Sequence, residues 1–66
     1  MLKVTVNNEV VKVTFHSTIE SLKNEFATGW IKSESTNLDT GTVSIRMEVR
    51  GKFGWETKQL VIEAVK

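Results

Sequence analysis

Two runs of alternating residues on either side of one glycine-bounded turn constrain this chain more than any other feature. Val43, Ile45, Met47 and Val49 alternate with Ser44, Arg46, Glu48 and Arg50. A period of two is the pattern of a strand with one buried face and one wet face. Gly51-Lys52-Phe53-Gly54 follows as a turn, and closing it symmetrically sets Arg50 across from Trp55. Counting back, Met47 then meets Lys58, Ile45 meets Leu60 and Val43 meets Ile62, while Arg46 meets Gln59 and Glu48 meets Thr57 on the other face. A slip of one residue would turn every side chain to the wrong side, so the register is strongly specified. Val61 and Val65 fall on the wet face in this register. A helix with Leu60, Val61, Ala64 and Val65 on one stripe is the competing reading of residues 56–66. The β-branched run and the lack of a cap favour a strand.

The first third of the chain carries a second hairpin. Leu2, Val4 and Val6 alternate with Lys3 and Thr5, and Val11, Val13 and Phe15 resume the pattern after Asn7-Asn8-Glu9. Asparagine tolerates positive φ, so Asn7-Asn8 suits the turn, and centring it on Asn8-Glu9 leaves the same residues on the same faces. The expected core face is Leu2, Val4, Val6, Val11, Val13 and Phe15. Alternation stops at Ser17-Thr18-Ile19-Glu20, which reads as a capping box with Ser17 as the cap. Ile19, Leu22 and Phe26 then recur at helical spacing until Gly29, which predicts a helix from about Thr18 to Ala27. Its narrow apolar stripe suits a helix lying on a sheet. Trp30 to Ser35 reads as a short strand with Trp30 in the core, and Thr36 to Gly41 as a polar loop.

The expected fold is one α+β domain over residues 1–66, in ββαβββ order, with a mainly antiparallel sheet and one helix packed on one face. No proline, repeat or low-complexity tract divides the chain. The hairpin followed at once by a helix, Met1 to Phe26, resembles the β-grasp folds that include ubiquitin and the small sulfur carriers. Those carriers work through a free C-terminal Gly-Gly, whereas this sequence reads Ala64-Val65-Lys66. The resemblance therefore implies a topology and not sulfur-carrier chemistry.

Sixty-six residues allow one core and not two, and a core of this size rarely supplies more than about 3–5 kcal/mol of net stability. Without cysteine there is no disulfide and no thiolate metal cluster, so a partner subunit is the support left open, a homodimer among the choices. Nine Lys and Arg against eight Asp and Glu leave a formal net charge of +1, so binding to nucleic acid or an anionic surface would need a local patch. The longest apolar run, Leu60-Val61-Ile62, is far too short for a membrane helix, and the N-terminal residues lack the blocks of a signal peptide. The expected location is the cytoplasm.

Candidate chemistry is sparse, and the expectation is a chain that is not an enzyme, with no cofactor and no metal. His16 stands at a strand-to-helix junction with no second group spaced for acid–base work. Ser17 lacks the Gly-x-Ser-x-Gly context of a nucleophile. Glu20 and Glu25 do not share a helix face. Asn37-Leu38-Asp39-Thr40-Gly41 has too few acids for a calcium loop, and Gly51-x-x-Gly54 opens a strand rather than a phosphate-binding helix. One surface is left: Arg46, Arg50, Lys52, Phe53 and Trp55 on the wet face and tip of the second hairpin. Trp and Arg are enriched among interface anchors, so the leading expectation is a protein-binding module, an accessory or inhibitor protein of a phage or other mobile element. The alternatives are a weak single-stranded nucleic-acid binder, with Phe53 and Trp55 stacking bases and Arg46, Arg50 and Lys52 holding phosphates, and a self-associating structural domain using Val61, Val65 and an exposed strand edge.

Overall fold

A computed structural model describes residues 1–65. The elements are β1 (Leu2–Val6), β2 (Glu9–Thr14), α1 (Ile19–Phe26), β3 (Trp30–Asn37), β4 (Thr42–Gly51) and β5 (Gly54–Ala64). They form one antiparallel five-stranded sheet in the order β2-β1-β5-β4-β3. The hairpin-then-helix order is present, but β5 returns beside β1 antiparallel, whereas a β-grasp sheet sets its last strand parallel to its first, so the topology that the resemblance implied is not the one adopted here.

The β4–β5 register is the one the alternation dictates, from Val43 opposite Ile62 to Arg50 opposite Trp55, and the C-terminal segment is strand through Ala64. Residue 66 lies outside the described residues. Gly51 pairs with Gly54, which leaves Lys52-Phe53 as a two-residue loop. Gly54 takes φ +123, a value L side chains rarely adopt, so this position calls for glycine.

The core lies between α1 and the middle of the sheet. Val4, Leu22, Val43, Ile45, Met47, Leu60 and Ile62 are buried, with Leu2, Val6, Ile19, Phe26 and Val49 packed around them. Because α1 connects β2 at one edge to β3 at the other, it crosses the whole sheet on a single face. Its flanks are held at both rims: Lys12 of β2 meets Glu25 at 3.0 Å, and Lys23 meets Glu34 of β3. Among the described residues no helix is long and apolar enough to cross a membrane.

The helix clamp explains the main corrections to the sequence reading. The first turn is centred on Asn7-Asn8, both at positive φ, and Val11 is then an extra residue in β2, a bulge that flips the parity beyond it. Val4 lies opposite Lys12 and Leu2 opposite Thr14, so Val13 turns away from the helix with Lys3. Val11 and Val13 are each 48% exposed and Phe15 is 75% exposed, so these three are not core residues. An edge strand beyond the helix rim gains more from a lysine whose stem covers the helix flank than from another valine.

The N-cap is Thr18, whose hydroxyl accepts the Ser21 N–H, rather than Ser17 of a capping box. The Ser17 hydroxyl lies 3.4 Å from that of Thr14 instead. β3 runs on to Asn37, and Asn37 Oδ1 accepts the N–H groups of Asp39 and Thr40, which accounts for the oxygen-rich loop as a turn. Trp30 pairs with Glu48 on the helix-free face and is 69% exposed, not buried as expected. Its neighbour Ile31 takes the inward position opposite Met47, and a second bulge at Lys32 resets the strand after it.

Candidate functional site

The open face of the sheet is shaped by where its strands stop. β1 accompanies β5 only as far as Leu60, and β3 accompanies β4 only as far as Glu48. Beyond those rows β4 and β5 continue alone, so residues 49–56 form a two-stranded arm that juts from the sheet. The connection from α1 drops onto the base of this arm through Thr28 and Gly29. A Cβ on Gly29 would lie only 2.6 Å from Val49 Cγ1 and 3.0 Å from the Glu48 carbonyl carbon. The chain can approach β4 this closely only because residue 29 has no side chain. Trp30 is thereby set on the open face beside Glu48.

The hydrogen-bond phase of the arm follows from Asn7. Its backbone N–H donates to Gln59 O at 3.0 Å, and its Oδ1 accepts the Gln59 N–H at 3.0 Å. Gln59 therefore spends its backbone groups toward β1, so Arg46 and Gln59 form a non-hydrogen-bonded pair. By alternation Glu48–Thr57 and Arg50–Trp55 do so as well. Side chains stand closest in such pairs, with Cα atoms about 4.5 Å apart, so Arg50 and Trp55 are direct neighbours on the open face. The same phase points the backbone N–H and C=O of Arg50 away from β5, to the side where β3 has already ended.

A hollow of about 510 Å³ occupies that side, lined by Thr28, Gly29, Trp30, Glu48, Val49, Arg50 and Trp55. Trp30 and Trp55 sit two strands and two residues apart, roughly 12 Å from spacings of about 4.8 Å and 3.4 Å. Arg50 and Glu48 lie between them. Lys32 at the β3 bulge reaches Glu48 at 3.9 Å. Among the described residues Arg46 and Arg50 make no ion pair.

Of the five residues expected from sequence, Arg50 and Trp55 come together at the hollow. Arg46 is on the same face about 14 Å along β4 at about 3.4 Å per residue, and Lys52 and Phe53 occupy the loop at the arm's end, with Phe53 97% exposed. Trp30, Gly29 and Lys32 were not anticipated. The bulge at Lys32 hides the parity of β3, and only the Gly-Trp pair after the helix stop hinted at a close approach there.

The small net charge conceals a polarity. On the open face Lys3, Lys32, Arg46 and Arg50 stand against Glu48 and Glu63. On the helix side Lys12, Lys23 and Lys58 stand against Glu9, Glu20, Glu25, Glu34 and Glu56. A chain of net charge +1 thus carries a positive excess on one face and a negative excess on the other. The open face can stack a planar or apolar group on indole and hold a carboxylate or phosphate with guanidinium. Against known proteins, no family model, no curated protein and no solved structure matches the chain.

Proposed function

We propose that this chain is a non-enzymatic protein-binding module whose contact surface is the helix-free face at the base of the arm, centred on Trp30, Arg50 and Trp55. One observation carries the reading: two tryptophans, 69% and 68% exposed, flank an arginine with no ion-pair partner among the described residues. Tryptophan and arginine are the residues most enriched at energetically dominant interface positions, and each such anchor is worth about 2 kcal/mol or more when truncated. A small module that covers a surface on a larger protein is the accessory or inhibitory role expected from the sequence. The test is affinity capture with the wild-type chain and with Trp30→Ala, Trp55→Ala and Arg50→Glu, each shown to be folded by its amide spectrum. Proteins retained by the wild type should fall at least tenfold with each variant. Equal retention by folded variants would remove the site.

A second reading, self-association, is favoured by a different observation. The outer edge of β2 is unpaired, and Val10, Val11 and Val13 on it are 54%, 48% and 48% exposed. An apolar edge strand is a template for pairing with another copy. This narrows the self-contact from Val61, Val65 and an exposed edge to the edge of β2 alone: Val61 is half-buried between Thr5 and Ser44, and the Val65 N–H is bonded to Met1 O. Sedimentation at rising concentration should show dimer that Val13→Lys abolishes, and a strict monomer excludes it.

A further inference from the structure

We infer that the vacant edge at Arg50 takes an extended, acidic segment of a partner protein, added to β4 where β3 leaves off. The inference rests on the binding face proposed above and names what that face recognises.

Three independent features meet at this edge. The backbone N–H and C=O of Arg50 point into the space beyond Trp30, and in the β3–β4 register that space belongs to residue 28, which has left the sheet for the helix connection. An extended guest continuing the line of β3 would meet a free donor and a free acceptor, the arrangement used in strand addition. The hollow there, about 510 Å³, falls within the roughly 300–1,000 Å³ of ordinary ligand sites. The side chain of a guest residue opposite Arg50 would project onto the open face beside the guanidinium, its methylene stem between Trp30 and Trp55, while its apolar neighbours would turn to the other face, where Val49 lines the hollow. Since Arg50 lacks a carboxylate partner among the described residues, the complementary guest side chain is Asp or Glu.

The arm itself supports this choice. A two-stranded ribbon is marginally stable alone, and a third strand stiffens it. A nucleic acid has no peptide groups to pair with the Arg50 backbone.

The experiment titrates the full chain with a capped octapeptide of alternating Glu and Val, with its Lys–Val counterpart, and with ten-nucleotide oligo(dT), following amide spectra, hydrogen exchange and salt dependence. The inference expects the Glu–Val peptide to bind at least tenfold more tightly than the other two and to slow exchange of the Arg50 amide at least tenfold. Arg50→Glu should reverse the peptide preference, a gain of binding that also shows the variant is folded. Three results would overturn it: no binding of the Glu–Val peptide at millimolar concentration, tighter salt-sensitive binding of oligo(dT), or protection at residues 55–58 or in β2 in place of Arg50. Loss of captured proteins in the face variants, with the Arg50 amide unprotected by peptide, would leave the binding face standing and this mode of recognition refuted.

Discussion

Gly29→Ala tests how the site is assembled, because the approach of the helix connection to β4 is what sets Trp30 beside Arg50. The new methyl would be 2.6 Å from Val49 Cγ1 and closer still to the Glu48 carbonyl oxygen. β4 is held on its other side by ten paired positions with β5, so the connection has to move instead. Forcing an extra carbon into such a contact costs about 1–3 kcal/mol. Loss of glycine freedom in the unfolded chain returns about 0.4–1 kcal/mol. The net expectation is about 1–2 kcal/mol of destabilisation, which at a urea slope of about 1 kcal/mol/M lowers the midpoint by roughly 1–2 M. Trp30 amide and indole resonances should shift while those of β1 and β2 stay in place. An unchanged midpoint with unmoved Trp30 signals would refute the close approach and the account of how the hollow is floored.

Two further substitutions probe the scaffold. Leu22 is the only helix side chain that is fully buried, so Leu22→Ala should cost about 2–5 kcal/mol against a total of about 3–5, and leave the chain largely unfolded by circular dichroism; a cooperative transition shifted by less than 1 kcal/mol would contradict its role. Asn7 and Asn8 share positive φ, but only the Asn7 side chain bonds to Gln59, so Asn7→Gly should lose about 1 kcal/mol in urea unfolding while Asn8→Gly is neutral or slightly stabilising, and equal effects would mean that the side-chain bond contributes nothing.

The parts of the fold that could be read from sequence are those in which both faces of a strand carry information. β4 and β5 sit in the middle of the sheet, so Val43, Ile45, Leu60 and Ile62 had to be apolar and Arg46, Glu48, Thr57 and Gln59 polar, and one register fits them all. The edge strands lacked that redundancy. In β2, Val11 and Val13 look like core residues, but the inward positions are Lys12 and Thr14, because a single helix cannot cover the rim and the rim is held by Lys12–Glu25. Each edge strand also carries a bulge, at Val11 and at Lys32, and a bulge breaks the parity on which period-two reading depends. Two of the three residues at the centre of the candidate site were therefore visible: Arg50 and Trp55 belong to the well-specified pair. Trp30 was hidden because its outward turn depends on Gly29 meeting Glu48 and Val49, a tertiary contact with no local pattern.

The arrangement of the open face is tested most directly by cross-strand Hα–Hα NOEs in the isotope-labelled chain. Strong contacts are expected between Arg46 and Gln59, Glu48 and Thr57, and Arg50 and Trp55, the three non-hydrogen-bonded pairs whose side chains build the face. Strong contacts from Arg50 to Gly54 or Glu56 instead, or helical sequential contacts within residues 56–64, would contradict it.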